Sequence, residues 1–322
     1  MKYLVTGAAG FIGSSMMDRL LDLGHEVIGV DNYSTGRREN LVKALKNKNF
    51  KMLEADLLNS TVLLPHLLGV HAVFHFAANA DIRGGLSQPR KDLEQNTLVS
   101  FNVLEAMRQA GVKRIIFSST AAALGEPGIF PTPENCAVPI QTSLYGASKM
   151  ACEGLISAFC EGYGFEGYVF RFVSLLGPRY PHGHVFDFVK QLLVEPSLLR
   201  ILGDGQQRKS YLHINDCVDA LLHICEFRRT AKDTERRFEV YHLGVPDYCR
   251  VQQSAEWICD ELGIAPKFEF TGGDRGWIGD NPFVFLDVAK AMSTGWSPTF
   301  GIEQSVRATV RWLVDNPFIL NR

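Results

Sequence analysis

The chain has 322 residues, of which 46% are hydrophobic, and its formal net charge is -2. This length suits one large two-lobed domain or two domains. A near-neutral charge without a long basic run argues against nucleic acid or an anionic membrane as a partner.

Seven scattered cysteines show no CxxC spacing. They indicate thiols in a reducing compartment, and we expect neither disulfides nor a metal site. The chain enters a strand pattern at once, without a leader-like segment, and it has no apolar run of membrane-spanning length. These features predict a cytoplasmic protein.

The first predicted unit is a strand, a glycine-rich turn and a helix. An apolar run over Lys2–Thr6 leads into the glycines of residues 7–13, and an amphipathic segment follows. Such a turn lets a pyrophosphate approach the helix N-terminus. The next apolar run, 27–30, ends in Asp31, whose carboxylate can bind both ribose hydroxyls and would repel a 2′-phosphate. This pattern favours NAD over NADP.

Strands and helices then alternate. We predict strands over 50–55, 72–77, 114–118 and 167–173, and helices over 61–68, 89–110, 145–163 and 303–314. The alternation indicates right-handed crossovers and an α/β fold with a doubly wound parallel sheet. The expected domains are a Rossmann domain at 1–173, to which 208–245 returns, and a smaller mixed α/β substrate lobe at 174–207 and 246–322.

Tyr145 and Lys149 are four residues apart, one turn along a predicted helix. A lysine ammonium beside a phenol favours the phenolate, so we expect a general base near neutral pH. Ser118, Ser119 and Thr120 end the fifth strand, where hydroxyls would face a ligand. Taken alone, the Tyr145–Lys149 pair is also typical of a surface helix, and the three hydroxyls are also typical of a local turn.

In order, these motifs resemble the extended short-chain dehydrogenase/reductase family from end to end. The resemblance is carried by 6–14, Asp31-Asn32, Asp56-Leu57, 75–78, Asn96, 118–120, Tyr145 with Lys149, 177–179 and 203–205. Within the family, 182–188, 208–211 and 276–280 are similar to the UDP-glucose (UDP-galactose) 4-epimerases.

The resemblance implies a tightly bound NAD, a UDP-sugar substrate and a homodimer built by the helices at 89–110 and 145–163. Tyr145 would be the catalytic base, assisted by Lys149 and Thr120. The cofactor would be bound by Gly7, Gly10, Phe11, Ile12, Asp31, Asn32, Asp56, Leu57, Ala77, Ala78, Asn96, Tyr145 and Lys149. The substrate would be bound by Thr120, Ser174, Arg208, Arg275 and Asp280, with the two arginines on the diphosphate and Asp280 on the uridine ribose.

The residues after Thr120 bear on the reaction. Dehydratases of this family carry an acid and a base there, and the related decarboxylases also tend to keep an acid, whereas this chain has Ala121 and Ala122. Asp31 disfavours a reductase that releases NADPH. We therefore predict inversion of C4 in UDP-glucose and UDP-galactose through a transient 4-ketose.

Several departures keep alternatives open. Leu124 and Ser174 replace a tyrosine and an asparagine that are usual in the family, and glucuronate epimerases also have a small hydroxyl residue at the second place. Those enzymes add an arginine where this chain has Pro181. Val284 leaves room for an N-acetylated hexosamine. A UDP-glucuronate 4-epimerase, a decarboxylase or dehydratase, and a non-catalytic NAD-binding protein remain the alternatives.

Overall fold

The computed structural model describes residues 1–137, 140–230 and 237–320, so part of the predicted returning segment 208–245 lies outside the described residues. Packing divides the chain into two units. Unit 1 comprises Met1–Gly125, Ile140–Arg171 and Leu221–Tyr241, and unit 2 comprises Glu126–Pro139, Phe172–Ala220 and His242–Arg322. Within the described residues, none of the helices is both long and apolar enough to span a membrane.

The strands of the described residues are β1 (Lys2–Thr6), β2 (Glu26–Asp31), β3 (Phe50–Glu54), β4 (Ala72–His75), β5 (Arg114–Thr120), β6 (Glu166–Phe172), β7 (Ser174–Leu176), β8 (Leu198–Ile201), β9 (Arg208–Lys209), β10 (Tyr211–His213), β11 (Phe238–Leu243), β12 (Cys249–Arg250), β13 (Lys267–Phe270) and β14 (Phe283–Val284). The α-helices are α1 (Phe11–Asp22), α2 (Pro89–Asp92), α3 (Val99–Ala110), α4 (Leu144–Tyr163), α5 (His184–Val194), α6 (Ile214–Thr230), α7 (Val251–Leu262), α8 (Ala289–Met292) and α9 (Ile302–Asp315).

The main sheet has seven strands in the order β11-β6-β5-β4-β1-β2-β3. Its central strands pair in parallel, with Leu4 opposite both Ile28 and Val73. This order reverses between β1 and β4, and in such sheets ligands bind beyond the carboxyl ends of the strands at that point. The predicted doubly wound α/β fold is confirmed.

The hydrophobic core of unit 1 packs helices against this sheet. Parallel strands covered by helices are rich in apolar residues, as the middle of β1 and the first three residues of β4 are here. The core includes Leu4, Val73, Ile115 and Phe117 from the strands, and Val103, Leu104, Met107, Ile156 and Phe159 from α3 and α4.

Two predicted helices differ from the structure. The segment 61–68 forms only a 3₁₀ turn at Leu64–His66. Pro65 lies in it and lacks the N–H that a longer helix would use. The segment 89–110 is divided by a π-helical turn, Leu93–Leu98, between α2 and α3.

Unit 2 contains short strand pairs and helices. β7 pairs with β10, β9 with β12 and β14, and β8 with β13. Asp216, in the first turn of α6, accepts hydrogen bonds from the backbone N–H groups of Thr299 and Phe300, each at 3.0 Å. These bonds tie α6 to the segment that precedes α9.

His75 joins the ends of β1 and β4. The Thr6 hydroxyl accepts from the backbone N–H groups of Phe76 and Ala77, so its own hydrogen is donated to His75 Nδ1, 2.7 Å away. The Nε2 atom then donates to the Ser100 hydroxyl at 2.9 Å. Burial lowers the pKa of His75 to about 3, with Lys149 acting in the same direction, so the ring is neutral.

This histidine should make unit 1 sensitive to acid. Below about pH 6.5 the unfolded chain protonates His75 and the folded chain does not, so stability falls by about 1.4 kcal/mol per pH unit until the folded pKa is reached. Denaturant unfolding of wild type and His75→Gln at about pH 7.5 and about pH 4.5 measures this. The destabilisation caused by the substitution should be smaller at the acid pH by about 2 kcal/mol or more. An equal difference at both pH values would contradict the assignment.

Candidate active site

Gly7, in the turn after β1, and Gly13, in the first turn of α1, have no room for a side chain. Gly7 has a φ of 67°, and a Cβ atom there would lie 2.8 Å from the backbone nitrogen of Ala77. A Cβ on Gly13 would overlap the carbonyl of Gly7. Helix α1 begins at Phe11 without a capping side chain and without an acidic residue in its first turn. Its N–H groups and dipole therefore suit the pyrophosphate of NAD.

Asp31 ends β2 beside this turn. Its Oδ2 accepts from Ala9 N at 2.9 Å and its Oδ1 from Tyr33 N at 2.7 Å. Burial raises the pKa of Asp31, and these backbone bonds oppose the rise. Each carboxylate oxygen has a further lone pair, which can accept from a ribose hydroxyl. The geometry fits the expected adenosine end of NAD.

The other expected cofactor residues follow neighbouring strands of unit 1. Asn32 donates to Asp56 Oδ2 at 3.3 Å. A groove of about 400 Å³ includes Ser34, Thr35 and Ala78 in its lining. Of the remaining expected cofactor residues, Gly10 lies in the turn, Phe11 and Ile12 begin α1, and Leu57 and Ala77 follow strands of the sheet. Asn96 is instead buried in the π-helical turn.

The first turn of α4 is seated against the end of β5. Ser143 caps the helix, its hydroxyl accepting from Gly146 N at 3.0 Å. A Cβ on Gly146 would overlap the carbonyl of Ala122. Lys149 donates from Nζ to the Ser118 carbonyl at 2.9 Å. The structure therefore brings both Tyr145 and Lys149 to the end of the fifth strand.

Thr120 is a polar neighbour of Tyr145. Its hydroxyl lies close enough to the phenol to lower the pKa of Tyr145. The Thr120 hydroxyl also accepts from Ala122 N at 3.1 Å and caps the 3₁₀ turn Ala121–Leu124. The three expected catalytic side chains thus lie within one part of unit 1.

The electrostatics differ from the expected lysine-activated phenol. Burial raises the pKa of Tyr145 to about 12, although the Thr120 hydroxyl opposes the rise. Burial likewise lowers the pKa of Lys149 to about 8. The Lys149 ammonium donates to the Ser118 carbonyl of the strand, and burial is the largest influence on the pKa of the phenol. In this structure the expected lowering of the tyrosine pKa is therefore wrong.

A buried ion pair attaches α4 to the sheet one turn beyond Lys149. Arg171 on β6 donates from Nη2 to Glu153 Oε2 at 2.7 Å and from Nε to Glu153 Oε1 at 3.0 Å. Ser119 Oγ donates to the same Oε1. Both charged side chains are less than one-tenth exposed. The network joins α4 to β5 and β6, one turn beyond Lys149.

In unit 2 the structure reveals Lys209, which the sequence reasoning missed. Successive strand residues point to opposite faces, so Arg208 lies 3.8 Å above the Phe283 ring while Lys209 bonds Asp280 Oδ1 at 2.8 Å. Asp280 Oδ2 accepts from Gly276 N at 3.0 Å. The sequence shows that Arg208 and Lys209 are adjacent basic residues, but only their burial in the structure distinguishes the one that binds Asp280.

Arg275 lies in the same part of unit 2. Its guanidinium forms a two-pronged ion pair with Glu126, with Nη2 and Oε2 3.0 Å apart, and Nη1 also donates to the Asp280 carbonyl at 3.3 Å. Ser174 is exposed at the start of β7 and is paired with Tyr211 of β10. The structure thus gathers Lys209, Arg275 and Asp280.

Residues 3–244 match the model of the NAD dependent epimerase/dehydratase family. The chain is 31% identical to the UDP-glucose 4-epimerase of Mycolicibacterium smegmatis, over 97% of this chain and 98% of that protein. It is 29% identical to the UDP-glucuronate 4-epimerase of Thermodesulfobacterium geofontis, over 98% and 96% of the two chains.

Solved structures give the same range of similarity. A UDP-galactose 4-epimerase has a TM-score of 0.87 at 34% identity, covering 98% of this chain and 99% of that chain. The UDP-glucuronic acid 4-epimerase of Bacillus cereus, with UDP-glucuronic acid and NAD, has a TM-score of 0.87 at 25% identity, with coverage of 98% and 99%. The UDP-N-acetylglucosamine 4-epimerase of Methanobrevibacter ruminantium M1 has 0.86 at 26%, with coverage of 98% for both chains.

The Lys209–Asp280 pair yields a test with a matched neighbour. Lys209→Met leaves the buried Asp280 carboxylate without its cation and should lower the free energy of unfolding by about 3–5 kcal/mol. Arg208→Met removes an exposed guanidinium and should cost about 1 kcal/mol or less. Denaturant titration of both variants measures the difference. Equal losses would show that Lys209 does not hold Asp280 as described.

Proposed function

The chain belongs to the NAD dependent epimerase/dehydratase family and uses NAD, and we propose that it is a UDP-hexose 4-epimerase. The observation that carries this proposal is the set of groups beside the base. The Thr120 hydroxyl lowers the pKa of the Tyr145 phenol, and the two residues after Thr120 are alanines in a 3₁₀ turn. The site therefore has a proton acceptor for one sugar hydroxyl but no second acid–base pair following it.

Tyr145 takes the proton of the sugar 4-hydroxyl and returns it when C4 is reduced. The Thr120 hydroxyl both donates and accepts, so it orients the sugar oxygen toward the phenol. Bound NAD supplies a reversible acceptor for the hydride of C4. Return of that hydride to the opposite face of C4, with the proton given back to the oxygen by Tyr145, would produce the opposite configuration without net oxidation.

Elimination of water would require an additional acid and base. The methyl groups of Ala121 and Ala122 transfer no proton. Asp92 is the carboxyl group that acts on Tyr145, but its side chain is 1% exposed and is bonded to Asn79. These features favour epimerisation over dehydration and decarboxylation.

The nucleotide contacts belong to unit 2 in this proposal. Arg275 and Arg208 bind the diphosphate, for which a guanidinium fork is well suited, and Lys209 adds a buried positive charge to the same region. Asp280 accepts from the uridine ribose with its remaining lone pairs while its other bonds hold Lys209 and Gly276. Ser174 contributes an exposed hydroxyl.

Ser174 also supports a second candidate, a UDP-glucuronate 4-epimerase. The exposed hydroxyl leaves space that a larger amide would occupy, next to Tyr211 in the strand pairing. Val284, which is only half-buried on β14, similarly leaves room for an N-acetyl group at C2. Both features concern substrate choice and leave the role of Tyr145 unchanged.

A panel of UDP-sugars tests the proposed reaction. Purified protein without added NAD should interconvert UDP-galactose and UDP-glucose, because the cofactor is retained through the cycle. Chromatography of the products should also be run with UDP-N-acetylglucosamine and UDP-glucuronate. Turnover confined to UDP-glucuronate would select the second candidate, and no conversion of any of these sugars would reject an epimerase.

Tyr145→Phe is the matched control for that panel. The phenyl ring keeps the packing but exchanges no proton, so turnover should fall below about 1% of wild type. Binding of NAD and UDP should persist.

The seven thiols favour the cytoplasm as the compartment. All of them are free, and five are buried. Free cysteines in this number suit a reducing environment.

A homodimer is part of the proposal. Ala151, Gly154 and Ala158 form an exposed stripe of small residues on α4. Phe101 of α3 is 43% exposed and packs edge-on against Phe159 of α4. The small residues allow a second copy of these helices to approach closely, and Phe101 supplies apolar area beside them.

Phe101→Glu tests this surface. A charge in the centre of the interface should convert a dimer into a monomer in light scattering after size exclusion. Phe227→Glu on α6, where the phenylalanine is 40% exposed, is the control and should leave the mass unchanged. A wild-type monomer would reject the dimer.

A further inference from the structure

Two buried polar residues at the π-helical turn between α2 and α3 belong to one hydrogen-bond network. Asp92 ends α2 and Asn96 lies inside the turn Leu93–Leu98, each 1% exposed. A π turn widens the helix locally and is frequent at functional sites. The family resemblance gave Asn96 a cofactor role, but it said nothing of Asp92.

A chain of hydrogen bonds runs from Asp92 to the backbone carbonyl of Tyr145. Asn96 Oδ1 accepts from Asn79 N at 2.7 Å, which fixes the orientation of the Asn96 amide. Its Nδ2 then donates to Ser148 Oγ at 2.8 Å and to Asp92 Oδ1 at 3.4 Å. Ser148 Oγ donates to the Tyr145 carbonyl at 2.8 Å. Asp92 is thus linked to the first turn of α4 through two side chains.

The Asp92 carboxyl is held in a tight place. Oδ1 accepts from Asn79 Nδ2 at 2.8 Å, but Asp92 Oδ2 and Asn79 Oδ1 are buried and have no hydrogen-bond partner in the described ranges. A Cβ on Gly85 would lie 2.7 Å from Oδ2, so the loop after β4 closes over the carboxyl. An amide at position 92 could donate to the Asn79 oxygen, so hydrogen bonding alone gives no advantage to an acid.

We propose that Asp92 is a positioning residue for Tyr145, which orients the first turn of α4 through Asn96 and Ser148 and sets a negative charge near the phenol. This inference rests on the proposed function only for the role of Tyr145 as the base. The link between the carboxyl and the helix is a property of the fold of unit 1.

The surroundings of the phenol act in opposite directions. Burial raises the pKa of Tyr145 most, Asp92 and Cys152 raise it further, and the hydroxyl of Thr120 lowers it. Lys149 lies one turn further along the same helix. Burial raises the pKa of Asp92 most, the Asn79 hydrogen bond lowers it, and Asp81 and Lys91 add smaller effects that raise and lower it, respectively. Removing the charge of Asp92 should therefore make Tyr145 easier to ionise.

Two substitutions separate charge from positioning. Asp92→Asn keeps an acceptor for Asn96 and removes the charge, whereas Asp92→Ala removes both. For Asp92→Asn, the acid limb of the kcat/KM profile should move to lower pH by about one unit, with an unchanged or higher melting temperature. Asp92→Ala should lower kcat about tenfold with little change in KM, because Asp92 does not touch the substrate. Glu94→Gln, in the same turn, is the charge control and should keep the wild-type profile.

A second readout is independent of turnover. The ultraviolet spectrum of tyrosinate in the NAD-bound protein, corrected with Tyr145→Phe, follows the ionisation of Tyr145 alone. Its midpoint should be lower by about one pH unit in Asp92→Asn than in wild type.

An unchanged tyrosinate midpoint and a superimposable pH profile in Asp92→Asn, together with an unchanged kcat in Asp92→Ala, would overturn the inference, even if either variant were less stable. Wild-type protein inactive on every UDP-sugar would reject the proposed function instead. The tyrosinate titration would still decide the role of Asp92 in that case.

Discussion

The seating of α4 on the end of β5 is the constraint on which the reactive groups of unit 1 depend. Gly146 allows backbone contact with the turn after Thr120, Lys149 is bonded to the strand carbonyl, and Glu153 repeats the attachment one turn later. A helix attached at three successive turns cannot rotate about its axis. Tyr145 is therefore held at Thr120 by the packing of the helix, and a side-chain rotation alone would not move it to another site.

This seating has an electrostatic cost. Burial disfavours the charged form of a base and of an acid alike, which raises the pKa of Tyr145 and lowers that of Lys149. The position of Tyr145 in the first turn of α4 opposes this cost, because the positive end of a helix dipole favours a phenolate. Asp92 acts in the other direction. The ionisation of the base thus reflects groups on α4, α2 and β5, of which the four-residue spacing to Lys149 reveals only the first.

The parts of the fold encoded by local patterns could be read from the sequence. The glycine turn, Asp31 and the alternation of strands and helices require only residue type and spacing, and the sheet agrees with them. The prediction of a helix at 61–68 was wrong because Pro65 interrupts the hydrogen bonds that such a helix would need. The π-helical turn has no local signature, since it depends on the burial of Asp92 and Asn96. The partner of Lys209 and the direction of the Tyr145 pKa likewise depend on residues distant in the chain.

The ion pair between Arg275 and Glu126 has a thermodynamic consequence for unit 2. The guanidinium already holds a carboxylate in a two-pronged arrangement. Any anion that binds Arg275 through the same guanidinium fork must displace that carboxylate. Association therefore exchanges one anion for another, because the guanidinium is already paired before the ligand arrives. The number of ion pairs is conserved, and the released Glu126 is hydrated. Selectivity at this point then reflects the difference between two anions, and a ligand with one weak negative charge gains little by entering.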